Sequence, residues 1–332
     1  LEAIGDVDAQ TDGVLFHSEN FQALSVMQAR YREQVKCIYI DPPYNTGSDG
    51  FVYKDSYRHS SWLSMIEPRI LQSIPLLRPD GGCAATIDDN EQARLRFILD
   101  IAFGANSFVA QVIWEKRYTR SNNTDDFTSV VDHLPIYSAS DAFRPSLFGR
   151  EEDADARYSN PDNDPRGPWK AIPFSNPRSA RERPSLCYPI ANPHTGKTTT
   201  PSGEDKAWRS ELSVWTAIVK DRRDWWGKDG SSASPNVKRF LSEVRQGMTP
   251  TNFWEHEFAG HTDAAKTEIK SLFGYAAFDN PKPTQLIKRC VEVMAGALET
   301  PLVLDYFAGS GTTGHAVINL NREDGGQRKF IL

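Results

Sequence analysis

Apolar residues along this chain recur in two alternating rhythms, and the alternation predicts a layered fold. Gly13-Val14-Leu15-Phe16 reads as a strand. Ser18-Glu19-Asn20 then caps a helix that carries Phe21, Leu24 and Met27 at helical spacing. Cys37-Ile38-Tyr39-Ile40 reads as a buried strand. A helix from about Trp62 to Leu77 follows, then Cys83–Ile87 as strand, then a helix with Leu95, Ile98 and Leu99. Strand–helix alternation of this kind argues for an α/β fold, a parallel sheet with helices on both faces. Gln111-Val112-Ile113-Trp114 and His133-Leu134-Pro135-Ile136-Tyr137 are expected to form a final antiparallel pair.

From about 140 to 260 the rhythm is lost. Pro, Asn, Arg and Asp dominate, with an acidic run at Glu151-Glu152-Asp153. Trp169, Trp208, Trp215, Trp225, Trp226 and Trp254 all fall here, which predicts an inserted, irregular second domain. Tryptophan mixed with Arg can line a nucleic-acid surface; the commoner use is the small core of an irregular domain. From Phe278 the α/β character returns. A helix from about Pro283 to Leu298 is expected to bury Leu286, Cys290, Met294 and Ala297, with a strand at Leu302-Val303-Leu304 after it. Both ends of the chain then contribute to one sheet, and the insertion interrupts it.

The chain has 332 residues, 39% apolar and 25% charged, an ordinary soluble composition. No apolar run approaches the roughly 18 residues a membrane span needs, and no signal-peptide pattern opens it. A cytoplasmic location in a bacterium or archaeon is expected. The opening Leu1-Glu2-Ala3 and the closing Lys329-Phe330-Ile331-Leu332, which reads as an unfinished strand, suggest a piece of a longer protein. Cys37, Cys83, Cys187 and Cys290 stand far apart with no C-x-x-C spacing. His256 and His261 have the wrong spacing for one helix face, so no metal site is expected. The net charge of −6 counts mildly against a nucleic-acid binder. Its distribution softens that: residues 116–246 hold 21 Lys and Arg against 18 Asp and Glu, and the remainder holds 17 against 26.

Two motifs carry chemistry. The first is Asp41-Pro42-Pro43-Tyr44, directly after a strand. Prolines give a stiff turn without backbone donors, so their carbonyls are free to accept. An acid, a free carbonyl and an aromatic face together suit a planar ring that bears an amino group. A plain proline turn is the bland alternative. The second motif runs from Leu302 through Asp305, Phe307, Gly309, Ser310, Gly311 and Thr312 to Gly314: a strand, a glycine-rich turn and a helix start. Glycines there admit a ligand close to the backbone, and the helix start offers free N–H groups. Gly309, Gly311 and Gly314 also satisfy G-x-G-x-x-G, which invites a dinucleotide reading.

The pair of motifs resembles the amino-group DNA methyltransferases that use S-adenosylmethionine, in the β-class order with the catalytic motif first. Ser61-Trp62-Leu63-Ser64-Met65, Leu77-Arg78-Pro79-Asp80-Gly81-Gly82, Ile87-Asp88-Asp89-Asn90-Glu91 and Trp225-Trp226-Gly227-Lys228-Asp229-Gly230 resemble segments of the modification subunit of Type III restriction systems. The stretch from Lys238 to Gly247 does as well. The resemblance covers most of the chain except roughly residues 140–215.

The resemblance implies a permuted Rossmann-like methyltransferase sheet with an inserted target-recognition domain. Residues 1–139 would form the catalytic half, 140–262 the target-recognition region and 263–332 an incomplete cofactor-binding half. Asp41 and the Pro42 carbonyl would accept from the target amine, with Pro43 completing the turn and Tyr44 stacking on an extruded base. Phe307, Gly309, Ser310, Gly311 and Thr312 would form the cofactor loop, with Asp305 near the methionine end. Lys282 would meet the cofactor carboxylate, and Glu19 the adenine amino group. The acid that grips the ribose would follow Leu332. Arg222, Arg223, Lys238 and Arg239 are candidate DNA contacts. The implied partners are double-stranded DNA, a second copy of the chain and a helicase–nuclease restriction subunit.

The Asp form of the first motif favours adenine N6 as the methylated position. Cytosine N4, a catalytically inactive DNA-specificity subunit, and a nucleotide-dependent oxidoreductase using the literal glycine pattern are the alternatives.

Overall fold

A computed structural model describes residues 11–47, 58–119, 127–149, 155–177, 180–201, 206–244, 247–296 and 300–332. Ala297, the acidic run at 151–153 and the residues before Thr11 lie outside the described residues. The chain divides into two compact units, Leu1–Phe148 with Thr249–Leu332, and Gly149–Met248.

The first unit begins with β1 (Gly13–Val14), α1 (Asn20–Tyr31), β2 (Val35–Ile40), α2 (His59–Ser73), β3 (Leu77–Ala85), α3 (Gln92–Phe103), β4 (Phe108–Glu115) and β5 (Val131–Ser138). In the second unit follow β6 (Trp169–Pro173), β7 (Ser175–Asn176), β8 (Ile190–Ala191), β9 (Thr198–Thr199), β10 (Ala207–Trp208), α4 (Leu212–Lys220), β11 (Asp224–Trp225) and β12 (Asn236–Phe240). The first unit resumes with β13 (Phe253–Trp254), α5 (His256–Ala259), α6 (Thr262–Phe273), α7 (Thr284–Ala295), β14 (Leu302–Leu304), α8 (Thr312–Asp324) and β15 (Lys329–Ile331).

The central sheet has eight strands in the order β1-β15-β14-β2-β3-β5-β4-β13. The first five are mutually parallel. β5 runs antiparallel to β3 and β4, so the expected antiparallel pair is present. It does not end the sheet, because β13 adds to β4 in parallel through Phe253 and Trp254. Strand alternation assigns the two faces. Cys37 and Tyr39 of β2 point into a core shared with α5, α7 and α8. Val35, Ile38 and Ile40 point into the other core, with Leu24, Met27 and Tyr31 of α1, Trp62, Ile66 and Ile70 of α2, and Leu95, Ile98 and Leu99 of α3. Both faces are therefore covered, and all six residues of β2 are buried. Phe21 departs from expectation: it is 38% exposed, since the buried stripe of α1 begins only at Leu24.

β14 and β2 are neighbours, yet the helices that follow them cover opposite faces of the sheet. Such a reversal opens a crevice at the carboxyl ends of the two strands.

The second unit is built of small antiparallel sheets, β11-β12-β6, β10-β7 and β8-β9. Its core is Phe174, Ile190, Trp208, Trp215 and Trp226. Five of the six tryptophans of the irregular region are buried: Trp169, Trp208, Trp215 and Trp226 in this unit, and Trp254 in the first. The expected limits at 140 and 262 differ from the limits of this unit. Residues 140–148 carry Phe143 and Phe148 into the core of the first unit, and 249–262 carry β13, with Trp254 buried beside Phe148.

Candidate active site

Asp41 follows β2 and Asp305 follows β14, so neighbouring strands deliver both acids to the same crevice. A cavity of about 830 Å³ opens there, lined by Asp41 to Tyr44, by Asp305 to Ser310, and by Glu19, Lys116, Asp132, Lys282 and Thr312 among others.

Asp41 is held from two sides. Its Oδ1 accepts from the Thr86 hydroxyl at 2.6 Å, and its Oδ2 meets Lys282 Nζ at 2.7 Å. Thr86 lies just past β3, which brings it level with Asp41 through the β2–β3 pairing. Of the two proline carbonyls, that of Pro43 accepts the indole N–H of Trp62 at 2.8 Å. Among the described residues nothing bonds the Pro42 carbonyl oxygen, so its accepting capacity is unspent. Trp62 belongs to the Ser-Trp-Leu-Ser-Met tract, and here that tract has a mechanical purpose.

The Tyr44 hydroxyl donates to Asp132 Oδ2 at 3.1 Å, and Lys116 Nζ binds the other oxygen at 2.7 Å. Burial raises the Tyr44 pKa well above its ordinary value, with Asp132 and Asp41 adding to it, so the phenol stays a donor. Burial also raises the Asp132 pKa, against the opposing charge of Lys116. Asn45, with φ of 59°, is tied to the buried Glu91 at 2.6 Å, and Glu91 also binds His59 at 2.6 Å. The Ile-Asp-Asp-Asn-Glu tract thus clamps the far end of the first motif.

On the other side of the crevice the glycine loop runs from β14 into α8. Gly309 has φ of 52° and Gly311, the N-cap of α8, has φ of 74°, both left-handed and suited to glycine. Gly314 serves packing: a Cβ there would lie 2.9 Å from the ring of Phe330. Asp305 is 3% exposed and accepts from Thr313 Oγ1 at 2.6 Å and from the Phe307 backbone N–H at 2.9 Å. Burial pushes its pKa up to about 7. Glu19 caps α1 through the Gln22 N–H and binds Arg69 on α2. Asn20 donates to the Tyr306 carbonyl at 3.0 Å, which ties α1 to the glycine loop.

All twelve residues expected at the catalytic and cofactor sites are found in or beside this one cavity. Lys282 is one of the twelve, and its partner is Asp41. The four expected DNA contacts divide. Arg222 and Arg239 are exposed. Lys238 is 6% exposed, bound to Asp162 and to Asp164 Oδ2 at 3.0 Å, with its ammonium 5.2 Å from the Trp169 ring centre. Arg223 is tied to Asp221 and to Glu243, the latter through NH1 at 2.7 Å, and the Glu243 hydrogen bond raises its pKa. Lys238 and Arg223 are thus already paired with carboxylates of their own unit, Lys238 in a buried setting and Arg223 in a partly exposed one. Thr86, Lys116 and Asp132 went unnoticed in the sequence, since no motif marks them; the only cue was their position at the ends of expected strands.

A family model for N6/N4 methyltransferases, described as DNA methylase, matches residues 35–331. The Mod subunit of the Type III restriction-modification enzyme StyLTI from Salmonella typhimurium is 32% identical over 95% of this chain and 51% of its own length. The Type II methyltransferase M.KpnI from Klebsiella pneumoniae is 29% identical over 100% of this chain and 82% of its own. Among solved structures, PvuII DNA methyltransferase (cytosine-N4-specific) superposes with a TM-score of 0.50 at 11% identity, covering 97% of this chain and 81% of the other. That likeness shows the methyltransferase α/β fold. The chain spans about half the length of the first of these relatives.

Proposed function

The chain belongs to the DNA methylase family whose model spans residues 35–331, and on that premise we propose that it methylates the N6 amino group of a specific adenine in double-stranded DNA. The observation that carries the proposal is the meeting of Asp41, Pro42, Tyr44 and the glycine loop in one cavity at the ends of adjacent parallel strands. The residues suit S-adenosylmethionine. Left-handed glycines shape the loop, Glu19 offers a carboxylate at the cavity wall, and the volume of about 830 Å³ lies within the range of small-molecule sites. When bound, that cofactor supplies an electrophilic methyl group on a sulfonium.

The chain's own residues do the rest. An exocyclic amine is a poor nucleophile because its lone pair is delocalised into the ring. Asp41 and the unoccupied Pro42 carbonyl accept its two hydrogens, which localises density on nitrogen and fixes its direction. Tyr44 offers the stacking face, and its hydroxyl bond to Asp132 fixes the ring's orientation. No covalent intermediate is required; the two cysteines nearest in sequence, Cys37 and Cys83, are buried with pKa values raised by burial.

The acidic first position of the motif supports adenine over cytosine. We assign the choice of DNA sequence to the Gly149–Met248 unit, whose Arg222 and Arg239 are exposed. The similarity to a Type III Mod subunit supports a place on the modification side of a restriction system, as a homodimer working with a restriction subunit. Light scattering and co-purification read those two assemblies.

The test is expression in cells free of methylation, followed by nucleoside mass spectrometry and sequencing that detects modified bases. N6-methyladenine at one sequence is the expected result. N4-methylcytosine would overturn the base assignment, and unmethylated DNA would overturn the enzyme assignment.

A further inference from the structure

We infer that Lys282 is a plug in the acceptor pocket: it closes Asp41 and Tyr44 to the target base until the carboxylate of the bound cofactor draws it away. The inference rests on the methyltransferase reading and extends it to the order in which the two ligands enter.

Lys282 Nζ lies 2.7 Å from Asp41 Oδ2 and 4.6 Å from the centre of the Tyr44 ring. Thr86 already bonds the other oxygen of Asp41. Both oxygens of the acceptor are therefore engaged, and an ammonium covers the face of the stacking residue. A ring stacked on Tyr44 would sit about 3.5–4 Å above it, and Nζ, over the ring at 4.6 Å from its centre, contests that face. The lysine and the base exclude each other.

Lys282 is 13% exposed, so removing its ammonium from a carboxylate inside the cavity is costly unless another anion receives it. Two other carboxylates sense its charge, Asp132 and Asp305. Asp132 is satisfied by Lys116 and Tyr44, and Asp305 by Thr313 and the Phe307 N–H. Among the described residues no carboxylate of the cavity is left to receive it; a ligand can bring one, and the amino-acid end of S-adenosylmethionine carries a carboxylate. Cofactor occupancy and base entry are thereby coupled, with the cofactor leading.

The experiment uses the whole chain and a duplex bearing the site found by sequencing, with 2-aminopurine at the target position. Fluorescence reports base extrusion and gives the duplex affinity. S-adenosylhomocysteine, which keeps the carboxylate, should tighten duplex binding at least about fivefold, the low end of ordinary coupling. 5′-Methylthioadenosine, which lacks it, should leave affinity and fluorescence near their ligand-free levels. Lys282→Met should extrude the base without any cofactor and lose the coupling, whereas Lys282→Arg should keep it. Equal responses to the two nucleosides in the wild-type protein, a comparison that needs no variant, would overturn the plug. So would full coupling in Lys282→Met. If S-adenosylhomocysteine does not bind the wild-type chain at all, the methyltransferase reading fails first, and that outcome is separately visible by calorimetry.

Discussion

Asp305 links the stability of this protein to pH. Its carboxyl is 3% exposed, and burial raises its pKa from 3.8 to about 7; the bonds from Thr313 and Phe307 oppose the rise, and the Asp41 charge adds to it. Between those two values the folded protein holds a proton that the unfolded chain has lost. Stability therefore falls as pH rises through the window, by about 1.4 kcal/mol per unit, and levels off above about pH 7 after a loss of about 4 kcal/mol. Asp305→Asn removes the titration and keeps the shape. Its oxygen can still accept from Phe307, and the Thr313 hydroxyl can rotate to accept from the amide. Urea unfolding of both proteins, followed by fluorescence at several pH values from 5 to 9, reads the difference. The variant should gain about 2.5 kcal/mol on the wild type between pH 5 and pH 8, and the gain should flatten above that. Curves that stay parallel across this range would show that Asp305 is already ionised in the fold, and the argument from burial would be refuted.

Asp41→Ala should lower methyl transfer at least about a hundredfold, because an acceptor aimed at the reacting amine is lost. Its affinity for S-adenosylhomocysteine, measured by calorimetry, should stay within a few-fold. Gly309→Val should weaken cofactor binding by about tenfold, since a branched residue at a φ of 52° costs about 1–2 kcal/mol and distorts the loop; unchanged affinity in a folded variant would remove the loop from the cofactor site. Lys238→Met should destabilise the Gly149–Met248 unit by about 2 kcal/mol, because it removes the cation shared by Asp162 and Asp164, which keep only Trp169 and Arg166 respectively. Arg239→Ala, at an exposed position, should leave stability alone and make the log-affinity against log-salt slope for DNA shallower by about one unit. The reverse pattern would exchange the roles of the two neighbours.

Runs in which local pattern and tertiary role coincide were legible from the sequence. Cys37–Ile40 is apolar without interruption because β2 is covered on both faces, and the acid that ends it stands at a strand's carboxyl end, where crevices form. The glycine loop was legible because its glycines are demanded by backbone conformation at Gly309 and Gly311. Features made by pairing were not. Thr86 reaches Asp41, and Asp132 reaches Tyr44 from 88 positions away, only after β3 and β5 have found their register. The setting of Lys238 was not legible either, because a charge count cannot tell a cation at the surface from one enclosed by two aspartates and a tryptophan. β13 is two residues long, too short for any periodicity, and its place on the sheet comes from the Phe253–Ile113 and Trp254–Trp114 pairs.

The strand order has a consequence for how the protein is made. β15 and β14 lie between β1 and β2, yet a ribosome delivers β1 and β2 long before either of them. Until Leu302–Ile331 emerges, Val35–Ile40 has one unpaired edge, and Cys37 and Tyr39 lack the helix α7 that will cover them. Nascent chains must wait in a half-built state that invites chaperones and misassembly, since the closing contacts span most of the sequence. The same wait withholds the crevice: Asp41 is synthesised early, but the glycine loop beside it is synthesised late, so the cavity that both line cannot form on an unfinished chain.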